Sequence, residues 1–177
     1  MFEANIYQER RNNLKNKFDS GLLLFLGNEE TPANYLANTY AFRQDSSFLY
    51  YFGIDRAGFT VIIDIDNNLE TIFANDFGID EIVWMGPQPK VSELAERTGI
   101  YRTAPVDKLA EQINNAVRKG RKIHFLPQYK TENTLKIATL TGLNSSNVND
   151  YVSEKLIKAV VNQRSIKTEE EIREIED

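Results

Sequence analysis

His124 is the single histidine of this chain, and histidine is the side chain most used for general-base work and for holding catalytic metals. It lies in the run Lys122-Ile123-His124-Phe125-Leu126 with no carboxylate at a ligand-like spacing, so the expected role is that of a structural strand histidine. Asp64 and Asp66 sit at the turn composition Asp66-Asn67-Asn68, where acids ordinarily serve local hydrogen bonding. The absence of cysteine removes disulfides and thiolate metal sites. The single tryptophan, Trp84, lies in Asp80-Glu81-Ile82-Val83-Trp84-Met85-Gly86. An indole offers an apolar wall and one N–H donor. By residue type alone, such a ring folds back onto its own domain.

The elements that must position these residues follow from hydrophobic periodicity. Tyr7, Arg11, Leu14 and Phe18 form a helical stripe from Ile6 to Phe18, with Arg10, Lys15 and Lys17 elsewhere on the surface. Leu22-Leu23-Leu24-Phe25-Leu26, between two glycines, reads as a buried strand, and a surface loop with a turn or helix start at Thr31-Pro32 spans Gly27 to Thr39. From Phe48 to Phe52 every residue is apolar or aromatic, which predicts an interior strand with Phe48, Tyr50 and Phe52 on one face and Leu49 and Tyr51 on the other. Phe59 to Ile65 and Glu70 to Ala74 flank the turn at 66–68 and complete an antiparallel meander.

Short helices are predicted at Ile79–Met85, stopped by Gly86-Pro87, and at Val91–Thr98. A short strand at Tyr101–Thr103 precedes a helix opened by Pro105, with Val106, Leu109, Ile113 and Val117 at helical spacing. Lys122–Leu126 reads as strand, Thr131–Thr141 as helix, Asn144–Val148 as loop or edge strand, and Tyr151–Val161 as helix. Thr168 and Glu171 have capping-box spacing before Ile172 and Ile175.

Composition bounds what this assembly can be. At 177 residues, 41% hydrophobic and 27% charged, the chain is an ordinary globular one, able to bury about 70% of its unfolded surface. Its net charge is -5 and its basic residues are dispersed, which argues against a nucleic-acid surface. No run approaches the roughly 20 apolar residues of a membrane helix, and Met1 to Asn5 lacks the pattern of a signal peptide, so the expected location is the cytoplasm.

Tyr40-Ala41-Phe42-Arg43-Gln44-Asp45-Ser46-Ser47-Phe48-Leu49-Tyr50-Tyr51-Phe52-Gly53 resembles the signature of the N-terminal domain of aminopeptidase P and prolidase, proline peptidases whose catalytic half has the creatinase-like pita-bread fold. Asp80 to Gly86 and Gln163-Arg164-Ser165-Ile166-Lys167-Thr168-Glu169-Glu170-Glu171-Ile172 agree in order and spacing, the latter resembling the family's lead-in to the catalytic domain. The resemblance implies an α/β fold with a mixed sheet, an antiparallel meander and helices on both faces. Residues 1–161 would be this N-terminal domain, and 162–177 the linker and first helix of a catalytic domain otherwise absent. That domain would hold two divalent metal ions, manganese by the family pattern, and none would bind to the present segment, which alone would be inactive. Trp84 would reach in trans into the active site of a neighbouring subunit, beside the substrate's proline end. Arg43 and Asp45 would brace the loop before the apolar run at 48–52.

The implied partners are the chain's own C-terminal catalytic domain, further copies in a dimer or tetramer, and short proline-containing peptides. The alternatives are a prolidase N-terminal domain and a stand-alone scaffold without a catalytic partner. A helix-covered mixed sheet of this order is also similar to ribonuclease H, whose metal-binding carboxylates include one on the first strand. Leu22–Leu26 carries no acid, so the architecture is expected without the nuclease site.

Overall fold

The computed structural model describes residues 2–35 and 38–176. In chain order it contains α1 (Ala4–Lys15), β1 (Leu22–Leu26), β2 (Pro32–Tyr35), β3 (Asn38–Thr39), α2 (Ser46–Phe52), β4 (Thr60–Asp64), β5 (Leu69–Phe73), α3 (Ile79–Met85) and α4 (Val91–Glu96). There follow β6 (Thr103–Ala104), α5 (Asp107–Arg118), β7 (Ile123–His124), α6 (Thr131–Thr141), a 3-10 segment (Ser145–Tyr151), α7 (Glu154–Ser165) and α8 (Glu169–Glu176).

The main sheet has the order β6-β5-β4-β1-β7. β1 pairs antiparallel with β4, from Leu22 opposite Asp64 to Leu26 opposite Thr60, and β4 pairs antiparallel with β5. β6 and β7 are short parallel edges. Both faces are covered. Leu23, Phe25, Val61, Ile63 and Ile72 meet α1, α2, α4 and α7 through Leu14, Phe48, Phe52, Ala95 and Leu156. Leu22, Leu24, Leu26, Ile62 and Phe73 meet α5 and α6 through Leu109, Ile113, Ile137 and Leu140. This double burial is why β1 and β4 lack the alternation of a half-exposed strand. The α/β fold with a mixed sheet and helices on both faces is therefore the observed one.

Its interior strand is not the one expected. Residues 46–52 form helix α2, and the antiparallel neighbours of β4 are β1 and β5. Asp45 decides the conformation: its carboxylate accepts from the backbone N–H groups of Ser47 at 2.9 Å and Phe48 at 2.8 Å, an N-cap that a strand has no use for. Gly53, at φ +61°, closes the other end in the left-handed region. On α2, Phe48, Tyr51 and Phe52 share the buried face, which is helical spacing in a run too uniformly apolar to display it.

Smaller departures have similar local causes. Where a loop is expected, Pro32–Tyr35 and Asn38–Thr39 pair as short antiparallel strands; Leu36 and Ala37, like Met1 and Asp177, lie outside the described residues. The strand expected over 122–126 pairs only at Ile123 and His124, and Asn144–Val148 falls at the 3-10 segment. The helix expected from Tyr151 starts after the Ser153 cap and runs through Ser165. Arg10, expected on the surface, is buried: it donates to the Tyr50 carbonyl at 2.9 Å and lies between the rings of Phe2 and Tyr50.

Candidate functional site

Trp84 stands near the end of α3, a helix with no buried residue. The helix is fixed locally by backbone bonds from Ile82 N–H to the Gly78 carbonyl and from Gly86 N–H to the Ile82 carbonyl, while the Glu81 carboxylate accepts from Gly78 N–H at 2.6 Å. Gly86, at φ +74°, turns the chain out of it. A helix of 7 residues has little intrinsic stability and needs its ends held.

They are held from outside. The Asp76 carboxylate accepts from Val91 N–H at 2.6 Å and so closes the segment at its base. Asn75 accepts from Val106 N–H at 3.1 Å. The Arg56 guanidinium stacks 3.9 Å from the centre of the Phe77 ring and donates to the Pro89 carbonyl at 3.0 Å. Burial pulls Arg56 below its ordinary pKa against the opposing pull of Asp76 and Glu81. Beyond this base Ile79, Val83, Trp84 and Met85 project, with Trp84 88% exposed. A cleft of about 850 Å³ runs alongside, walled by Phe42, Arg56, Phe77, Glu81 and Met85.

The other sequence candidates lie elsewhere and are occupied. His124 is buried; its Nδ1 faces the Ser153 hydroxyl at 2.7 Å, and that oxygen in turn accepts from Leu156 N–H at 3.2 Å. Burial, with Lys122 and Lys155 adding to it, pushes His124 down to about 4. Asp64 accepts from the Asn67 backbone and side chain, and Asp66 accepts from Gly21 N–H at 3.0 Å. Arg121 braces both acids. Burial alone would raise Asp64, but the hydrogen bonds from Arg121 and Asn67 prevail and hold it below the usual carboxylate range. Among the described residues, no group of three or more His, Cys, Asp and Glu is placed to hold a metal ion.

Asp45 caps α2, while Arg43 is exposed with its carbonyl taking the Asn28 side chain at 2.8 Å. The residue missed is Gln44. Buried at the centre of this loop, it accepts from Asn28 N–H at 2.6 Å and Asp45 N–H at 3.0 Å, and donates to the carbonyls of Ile54 and Arg56. It thereby joins the end of β1, the start of α2 and the loop carrying Arg56, which braces the α3 segment. A glutamine between Arg43 and Asp45 reads as surface, so nothing in the sequence marks it.

Comparison with known proteins agrees with this fold. A family model described as "Aminopeptidase P, N-terminal domain" matches residues 7–124. A protein of Aspergillus clavatus named probable Xaa-Pro aminopeptidase is 32% identical over 136 residues, covering 77% of this chain and 26% of its own length. The human Xaa-Pro dipeptidase is 24% identical over 153 residues, covering 85% of this chain and 30% of its own. The chain thus spans under a third of the length of these relatives. Aminopeptidase P from E. coli superposes with a TM-score of 0.75 at 18% identity, over 98% of this chain and 41% of that one. A Pseudomonas aeruginosa aminopeptidase, PepP, gives 0.78 at 14% identity, over 97% and 40%. With the family match spanning most of its length, the chain belongs to the aminopeptidase P N-terminal domain family.

Proposed function

We propose that this chain is the non-catalytic N-terminal part of a Xaa-Pro aminopeptidase, a hydrolase removing the N-terminal residue that precedes a proline, and that it acts through Trp84. The observation carrying the proposal is a bare indole at the end of a projecting helix whose base is clamped and whose body buries nothing. In the proposed arrangement the ring closes over the pyrrolidine of a peptide held in a neighbouring subunit's active site. The helix narrows the approach, so short peptides enter and folded chains do not. Residues 162–177 lead into the catalytic domain. That domain carries the two divalent metal ions, manganese in our reading, which would polarise the scissile carbonyl and activate water.

The partners in this reading are that domain, further copies in a dimer or tetramer, and short proline-containing peptides, in the cytoplasm. The names of the Aspergillus relatives support a peptidase. A Xaa-Pro dipeptidase is the second reading, favoured by the human relative. The test has two arms. The reading frame beyond Asp177 should encode a metal-binding catalytic domain, and the longer polypeptide should cleave Xaa-Pro peptides with added Mn²⁺. Trp84→Ala should then lower kcat/KM by about tenfold or more, the scale of a lost interface anchor. Unchanged activity and affinity would refute the role of Trp84. Preference for tripeptides over dipeptides would separate aminopeptidase from dipeptidase.

A further inference from the structure

Three polar side chains of the segment Gln163 to Ile172 turn back onto α1 and α2. Gln163 donates to the Arg10 carbonyl at 2.9 Å and accepts from the Tyr51 hydroxyl at 3.2 Å. Arg164 donates to the Ser47 hydroxyl at 3.1 Å. Glu171 divides its carboxylate: Oε2 accepts from Thr168 N–H at 2.9 Å and closes the start of α8, while Oε1 pairs with Arg10 at 2.9 Å. Arg10 is rigid, buried between aromatic rings with its other nitrogen on the Tyr50 carbonyl. Along α8 every described residue but Glu170 and Glu171 is exposed, Ile172 and Ile175 included.

A helix with so little buried surface has almost no packing to set its direction. A charge-assisted bond to an immobile guanidinium supplies what packing does not. We propose that Glu171 is the positioning residue for α8: its ion pair with Arg10 fixes the direction in which the helix leaves the domain. The carboxylate couples two events, since the oxygen that forms the helix start and the oxygen that docks the helix belong to one group. Resting on the function proposed above, the consequence is that Arg10 and Glu171 set how the catalytic domain sits against this one.

The two oxygens can be separated by mutation. Glutamine serves a capping box but carries no charge, so Glu171→Gln keeps the helix and loses the ion pair. Thr168→Ala weakens the cap and keeps the ion pair. The chain has no cysteine, so spin labels at Ser92→Cys on α4 and Ile175→Cys on α8 report the direction of α8 cleanly. We expect one narrow distance distribution in the parent chain, at least about twofold broadening in Glu171→Gln, and a preserved peak in Thr168→Ala with about tenfold faster amide exchange along α8. An unchanged distribution in Glu171→Gln, or equal broadening in both variants, overturns the proposal. In the longer polypeptide, Glu171→Gln should raise KM for a Xaa-Pro peptide by about threefold with kcat within about twofold. Broadening without any change in KM would leave the positioning role of Glu171 standing and count against the division of labour between the two domains.

Discussion

The Arg11 guanidinium donates to the backbone carbonyl of Tyr51 over 3.0 Å, and this contact joins the first helix to the end of the second. The preceding residue repeats the arrangement, Arg10 on the Tyr50 carbonyl at 2.9 Å. Two consecutive arginines of α1 therefore satisfy carbonyls that the last turn of α2 leaves without helical partners. Arg11 also reaches the Thr98 carbonyl at 2.8 Å and Glu70 at 2.8 Å, so α1, α2, β5 and the end of α4 meet at one fully buried cation.

Arg11→Met should consequently cost about 3–5 kcal/mol, because it strips two buried carbonyls of their donor at once and leaves the Glu70 carboxylate to Lys15 alone. Burial holds the Arg11 pKa below its ordinary value, against the pull of Glu70, as expected of a cation retained for its geometry. Arg11→Lys keeps the charge without the planar fork, and should recover less than half the loss. Urea denaturation of the three proteins measures both; a cost under about 1 kcal/mol for Arg11→Met would remove this residue from the centre of the fold.

Asp45→Ala should destabilise by about 1 kcal/mol, with Asp45→Asn near neutral, since either side chain can accept from Ser47 and Phe48. Gly53→Ala should cost more. Its φ of +61° disfavours a side chain, and a Cβ there would run into the Tyr7 ring. If the apolar run were a strand, Asp45→Ala would leave stability unchanged.

The pH dependence can be assigned a sign. His124 titrates at about 4 in the folded protein, below its unfolded value of about 6.5, so the unfolded chain binds the extra proton first. The stability supplied by a neutral His124 is complete above about pH 6.5, falls as pH drops from there, and is gone below about 4. The loss should be on the order of 3 kcal/mol, and His124→Gln should flatten the curve over that window. Asp64 adds a second decline at lower pH, because its folded pKa lies beneath the unfolded one and its Arg121 bond is lost on protonation. Denaturation midpoints from pH 7.5 down to about 2 separate the two.

Much of this was legible in the residues. Leu22–Leu26 and the turn at 66–68 declared the centre of the sheet, and α3 and α6 fell where Gly86 and Gly142 punctuate the chain. Phe48 to Phe52 misled because periodicity vanishes when every residue is apolar. The deciding signals were the flanking Asp45 and Gly53, which act on backbone groups and not on burial. Arg11 falls on the expected stripe of the first helix, but the partners it finds there, like the burial of Arg10 and Gln44, were illegible for a different reason. Their burial is compensated by carbonyls distant in sequence, and no local pattern announces where those carbonyls will arrive.

Trp84 should contribute almost nothing to the stability of this chain while dominating its fluorescence. It is the single tryptophan, and its ring is solvated, so the emission should be that of an indole in water and acrylamide should quench it nearly as well as free indole. Trp84→Ala should shift stability by less than about 0.5 kcal/mol, the range of surface substitutions away from caps and networks. Asp76→Ala acts on the base of the same segment, removing the bond to Val91 N–H. It should accelerate amide exchange through α3 while leaving the core strands protected, because nothing in α3 packs beneath the clamp. A blue-shifted, poorly quenched tryptophan in the isolated chain would mean that the indole folds onto its own domain, and it would then be unavailable to any neighbouring site.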